Sequence, residues 1–144
     1  MTRETRGRYS EKHRGEKSVS LAFSTAIRAG LKEEGVPCAH AERVARELDV
    51  TLQEVGKAID LMEIRINRCQ LGLFGYRPER KIVEAAPEVP AELEQAIRAA
   101  LDGGGLSCRK AWEIADRLKL PRMGVSAACE ALDIKIRPCQ LGAF

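Results

Sequence analysis

Residues 20–74 lie on residues 90–144 without a gap at an offset of 70, and 19 of the 55 aligned pairs are identical. TAIRAGL (25–31) faces QAIRAAL (95–101), and IRINRCQLGLF (64–74) faces IKIRPCQLGAF (134–144). An internal duplication constrains a chain more tightly than composition does, because whatever one copy folds into, the other must fold into as well. Two copies suggest a pair of like domains, since a solenoid needs about three repeats or more to bury its core. The repeat leaves 1–19 as a flexible arm and 75–89 as a linker, where Pro78 and Pro87, with Pro90 just after it, interrupt any helix.

Each copy reads as three helices and a strand. The first helix is expected from about Leu21 to Glu33, with Phe23, Ile27 and Leu31 on one face. Leu93, Ile97 and Leu101 repeat that spacing. Gly35 and the run Gly103 to Gly105 stand where a helix end favours positive φ. The second helix carries Ala41, Val44, Ala45 and Leu48, matched by Ala111, Ile114, Ala115 and Leu118, with Ser107 as an N-cap. The third starts in the first copy at Thr51, which forms a capping box with Glu54. It buries Val55, Ala58, Ile59 and Met62; the second copy has Val125, Ala128, Cys129 and Leu132 after Pro121. Alternation of Ile64 and Ile66 with Arg65 and Asn67, and of Ile134 and Ile136 with Lys135 and Arg137, marks a half-buried strand. Aromatic residues are only 4% of the chain, so the cores must be built of Ala, Val, Ile and Leu, which suits closely packed small helices.

The second and third helices of each copy resemble the helix-turn-helix unit of prokaryotic transcriptional regulators. Ala45 and Ala115 fall where that unit needs a small residue at the helix crossing, and Val55 with Ala58, or Val125 with Ala128, pack the third helix onto the second. The trailing strand gives each copy a winged-helix look. The resemblance implies a mainly α protein of two tandem three-helix domains, each ending in a short strand, that binds double-stranded DNA to regulate transcription. The turn position holds Asp49 in one copy and Lys119 in the other. Lys tolerates left-handed backbone less well, so the second turn is expected to be built differently. Because the second copy has no residues to complete a hairpin, its strand is expected to pair outside its own copy.

A recognition helix contacts bases from its N-terminal part. The resemblance therefore assigns DNA contacts to Thr51, Leu52, Gln53 and Lys57 in the first copy and to Arg122, Met123, Ser126 and Ala127 in the second. Gln can pair adenine bidentately and Arg guanine. Residues 1–18 hold six Lys/Arg against three Glu, which is the whole net surplus of +3. This arm suits contact with a polyanion, with Arg3, Arg6 and Arg8 nearest its start.

Cys38, Cys69, Cys108 and Cys139 repeat between the copies, but no CxxC pair and no zinc spacing accompanies them. They read as packing residues with thiol chemistry as the rival, and Cys129 aligns with Ile59 as a core residue. No metal, no cofactor and no catalysis is expected: there is no nucleophile with a plausible base and no phosphate-binding glycine loop. No stretch is long and apolar enough for a membrane span, and no secretory signal precedes the arm, so the expected location is the cytoplasm. The competing functions are a helix-turn-helix protein-interaction module, with a homodimer or another protein as partner, and a thiol- or metal-responsive sensor.

Overall fold

The computed structural model describes residues 20–78 and 80–143. The arm, with Arg3, Arg6 and Arg8, lies outside them. Six helices and two short parallel strands make up the described elements: α1 (Leu21–Arg28), β1 (Gly35–Pro37), α2 (Cys38–Leu48), α3 (Leu52–Leu61), β2 (Arg65–Asn67), α4 (Ala91–Ala99), α5 (Cys108–Leu118) and α6 (Arg122–Ala131). The chain is therefore mainly helical, and none of its described helices is long and apolar enough to cross a membrane.

α1 starts at Ser20, whose hydroxyl accepts from the Phe23 N–H at 3.2 Å. It ends at Arg28, short of the expected Glu33, because a tight turn follows. Lys32 and Gly35 exchange two backbone hydrogen bonds of 2.8 and 2.9 Å around Glu33 and Glu34, at φ 52° and 63°. Two consecutive left-handed residues cannot continue a right-handed helix. The second copy closes the same turn between Asp102 and Gly105 with Gly103 and Gly104, at φ 59° and 83°. The left-handed positions of the first copy are thus two glutamates, and Gly35 belongs to β1.

β1 pairs with β2 in parallel, with Gly35 opposite Arg65 and Pro37 opposite Asn67. Parallel neighbours need a crossover between them, which α2 and α3 supply. The second copy repeats this at Leu106 and Ile136: the Leu106 N–H donates to Lys135 at 2.9 Å, and the Arg137 N–H donates to Leu106 at 2.8 Å. Each trailing strand therefore pairs within its own copy, against the expectation for the second, and the pairing is not a hairpin.

The two α–turn–α segments are built alike. Asp49 and Lys119 are both left-handed, at φ 53° and 57°. The next N–H, of Val50 or Leu120, returns to the carbonyl of Ala45 or Ala115 at 2.9 or 2.8 Å. A backbone bond that closes on the preceding helix stabilises this conformation, and Lys119 adopts it as Asp49 does, contrary to the expected difference. The Thr51 capping box forms in full, with the hydroxyl accepting from the Glu54 N–H at 3.1 Å and the Glu54 carboxylate accepting from the Thr51 N–H at 2.9 Å.

The chain condenses into two compact units whose borders differ from those of the repeat. The first contains residues 20–69 together with Leu141–Ala143; the second contains 70–140. Ile27, Val36, Ala41, Val44, Ala45, Val55, Ala58 and Ile59 form the first core, and Leu141 is buried in it. Leu93, Ile97, Leu106, Ala111, Ile114, Ala115, Val125, Ala128 and Cys129 form the second, joined by Leu71 and Val83. Each QLGxF tail thus belongs, through its leucine, to the unit built from the other copy. The expected linker is not a loose spacer either. Tyr76 and Arg80 pair with each other, the Ile82 and Val83 N–H groups donate to Gly72, and the Ala86 N–H donates to Ala127 at 3.0 Å.

Candidate nucleic-acid interface

The helix that the sequence assigned to base reading has different surroundings in the two units. In the second unit, Arg122 begins α6. Its guanidinium lies 3.8 Å over the Trp112 ring, donates to the Gln70 side chain at 3.1 Å and stands 3.9 Å from the Asp116 carboxylate. The side chain is only 20% exposed. A guanidinium stacked on an indole and bonded to an amide is anchored on its own protein. Met123 is half-buried, and a Cβ on Gly72 would stand 3.1 Å from its sulfur. The Ala127 carbonyl accepts from Ala86, and Lys81 pairs with Glu130 one turn further on.

Ser126 is fully buried, and its Oγ has no hydrogen-bond partner among the described residues. It therefore cannot touch a base, which corrects its assignment as a DNA contact. Gln70, Gly72, Lys81 and Ala86 thus all meet α6, and the four residues Arg122, Met123, Ser126 and Ala127 form no open reading surface.

In the first unit the aligned positions differ at one place: Gln53 is exposed where Met123 is half-buried. Val55, Ala58 and Ile59 are buried, whereas Gln53 is exposed and Lys57, one turn on, is half-buried. Thr51 is exposed, with its hydroxyl engaged in the capping box, and Leu52 is half-buried. One flank of α3 is closed. A Cβ on Gly56 would overlap the Leu141 carbonyl oxygen, so the tail lies directly on the helix backbone there. Asp60, one turn beyond Gly56, is 8% exposed. These surroundings leave Gln53, Lys57 and the capping-box Glu54 as polar side chains on α3 outside the core, with Thr51 at its start.

Sequence reasoning missed Gln70, Trp112 and the tail leucines as determinants of this surface. A signal for the tail was present: Gly56 sits inside a helix, where Gly costs about 1 kcal/mol relative to Ala, and such a glycine marks a close backbone approach.

The remaining candidates are structural. His40 Nε2 donates to the Ala26 carbonyl at 2.8 Å, across a Gly30 that leaves room for its ring. Lys110, aligned with His40, donates instead to the Ala100 carbonyl at 3.2 Å, one turn further along the first helix of its copy than the counterpart of Ala26. Among the described residues no group of three or more His, Cys, Asp or Glu could hold a metal ion. Burial, and then the charge of Glu130, push the Cys129 thiol up to about 11, which keeps it protonated and unreactive.

Compared with protein-family models, curated proteins and solved structures, the chain matches none.

Proposed function

We propose that the chain binds duplex DNA as a transcriptional regulator and reads it through one copy only, with α3 as the reading helix. The observation that carries this is the asymmetry of the two third helices at one position: Gln53 is exposed at the N-terminal end of α3, whereas the aligned Met123 is half-buried beside Gly72 and its neighbour Arg122 is bonded to Gln70. The α2–turn–α3 arrangement supports the reading, with a left-handed turn residue and the small Ala45 buried at the crossing. Gln53 is the candidate for an adenine contact, and Lys57 and the Thr51 region serve the phosphates. Between residues 20 and 74 there are seven Lys/Arg against eight Asp/Glu, so the unit itself supplies little phosphate attraction. The basic arm of residues 1–18 supplies it.

The test is titration of a random duplex pool and of duplexes selected from it, at several salt concentrations, by fluorescence anisotropy. The proposal expects selection to yield a consensus. Removing residues 1–18 should flatten the salt slope by about 0.9 for each phosphate that the arm neutralises, with little change in preference. No binding at low salt would reject the proposal. It would favour the second reading, a protein-interaction module, which rests on one observation: α6 already packs against Gln70, Gly72, Lys81 and Ala86 of its own unit.

A further inference from the structure

Between the two copies the chain folds back on itself. The Ile82 and Val83 N–H groups donate to the Gly72 carbonyl at 2.9 and 3.1 Å, and Tyr76 and Arg80 exchange two backbone bonds of 3.1 and 3.0 Å. A hairpin results, with Arg77 and Pro78 in the turn that these bonds close. Two residues of positive φ make the reversal, Gly75 at 83° and Arg80 at 65°. The base of the hairpin is fixed in the second unit: Leu71 is fully buried, Val83 is 7% exposed, and a Cβ on Gly72 would press on both Val83 and Met123. Its returning limb is tied to α6 by the ion pair of Lys81 with Glu130.

The hairpin is the positive part of its unit. Residues 75–83 hold Arg77, Arg80 and Lys81 against Glu79, whereas residues 84–140 hold eight Lys/Arg against nine Asp/Glu. Arg77 and Arg80 are both exposed. A guanidinium matches the geometry of a phosphate bidentately, and a turn already closed by its own backbone bonds loses less freedom on binding than a loose segment does.

We infer that this hairpin is a second, sequence-independent contact to duplex DNA, with Arg77 and Arg80 each neutralising a backbone phosphate. The inference rests on the DNA-binding reading but not on which helix reads the bases. Phosphate contacts position a protein on the duplex without carrying sequence information, so the hairpin adds affinity and leaves preference to the reading helix.

The test is the salt dependence of duplex binding, measured on the full chain by fluorescence anisotropy with a random-sequence duplex. Arg77→Gln combined with Arg80→Gln is expected to flatten the salt slope by about 1.8, at about 0.9 for each lost phosphate contact, and to leave preference among selected duplexes unchanged. Arg77→Lys with Arg80→Lys keeps both charges and should keep the parental slope. Arg98→Gln with Arg109→Gln removes two cations from α4 and α5, where each pairs with a glutamate of its own helix, and should also keep it. A parental slope in the glutamine hairpin variant overturns this inference alone. So does equal flattening by the Arg98 and Arg109 variant, which would make net charge the cause, or by the lysine variant, which would make it the fold of the turn. Absence of binding by the parent at low salt overturns the DNA-binding reading and this inference with it.

Discussion

Gly56 is the residue on which the first unit closes. Replacing Gly by Ala inside a helix ordinarily stabilises a protein by about 1 kcal/mol. Here the new Cβ would collide with the Leu141 backbone, which cannot yield as a flexible side chain could. Gly56→Ala is therefore expected to destabilise the protein by about 1–3 kcal/mol, the range for overpacking, in urea unfolding; a gain of about 1 kcal/mol would mean that the tail does not lie on α3.

At Cys129 the folded chain holds its proton up to about 11 against an ordinary 9.0. The unfolded chain loses that proton first, so stability falls as pH rises from about 9 to about 11 and is unaffected below. Cys129→Val should show a smaller fall than the parent when unfolding is compared at about pH 8 and about pH 10.5. An identical fall in both would place Cys129 outside the core. That Cys129 is a core residue was legible from its alignment with Ile59. That Ser126, aligned with Gly56, is buried was not, because a serine at an outward helical position carries no mark of what covers it.

At the scale of elements, the second and third helices followed from periodicity and the Thr51 box, since one apolar face and one cap are local properties. The partner of each trailing strand and the end of α1 did not. Parallel pairing joins residues about 30 positions apart, and the turn after α1 is spelled by glycines only in the second copy. Glu34 holds a left-handed conformation that costs a residue with a Cβ roughly 1–2 kcal/mol, whereas the aligned Gly104 adopts it freely. Glu34→Gly should raise the unfolding free energy by about 0.5–1 kcal/mol, after the extra backbone entropy that glycine loses is subtracted, and thermal unfolding would show it. A destabilised variant would mean that Glu34 makes a contact worth more than its backbone strain. Glu33 is the poorer test, because its carboxylate pairs with Arg68 at 2.6 Å.

For the whole molecule, duplication was visible at once, yet it misled about the borders of the units. Sequence similarity reports common origin, not which core a segment joins. Leu71 and Leu141 occupy equivalent places in the repeat, but each is buried in the unit built from the other copy. The same fact divides the candidate site. The aligned helices offered two differing sets of reading residues, on one or both of which DNA could be read, whereas in the folded chain Gln70, Gly72, Lys81 and Ala86 meet α6 and Leu141–Ala143 join the unit of α3. On the proposed reading the copies have parted in role, one third helix serving DNA and the other packing. Base preference at each position of a selected duplex, measured for the parent, Gln53→Ala and Met123→Ala, decides whether they have. Gln53→Ala is expected to relax discrimination at one position by about 1–3 kcal/mol while Met123→Ala leaves every position unchanged; relaxation by Met123→Ala with none from Gln53→Ala would contradict the division of roles.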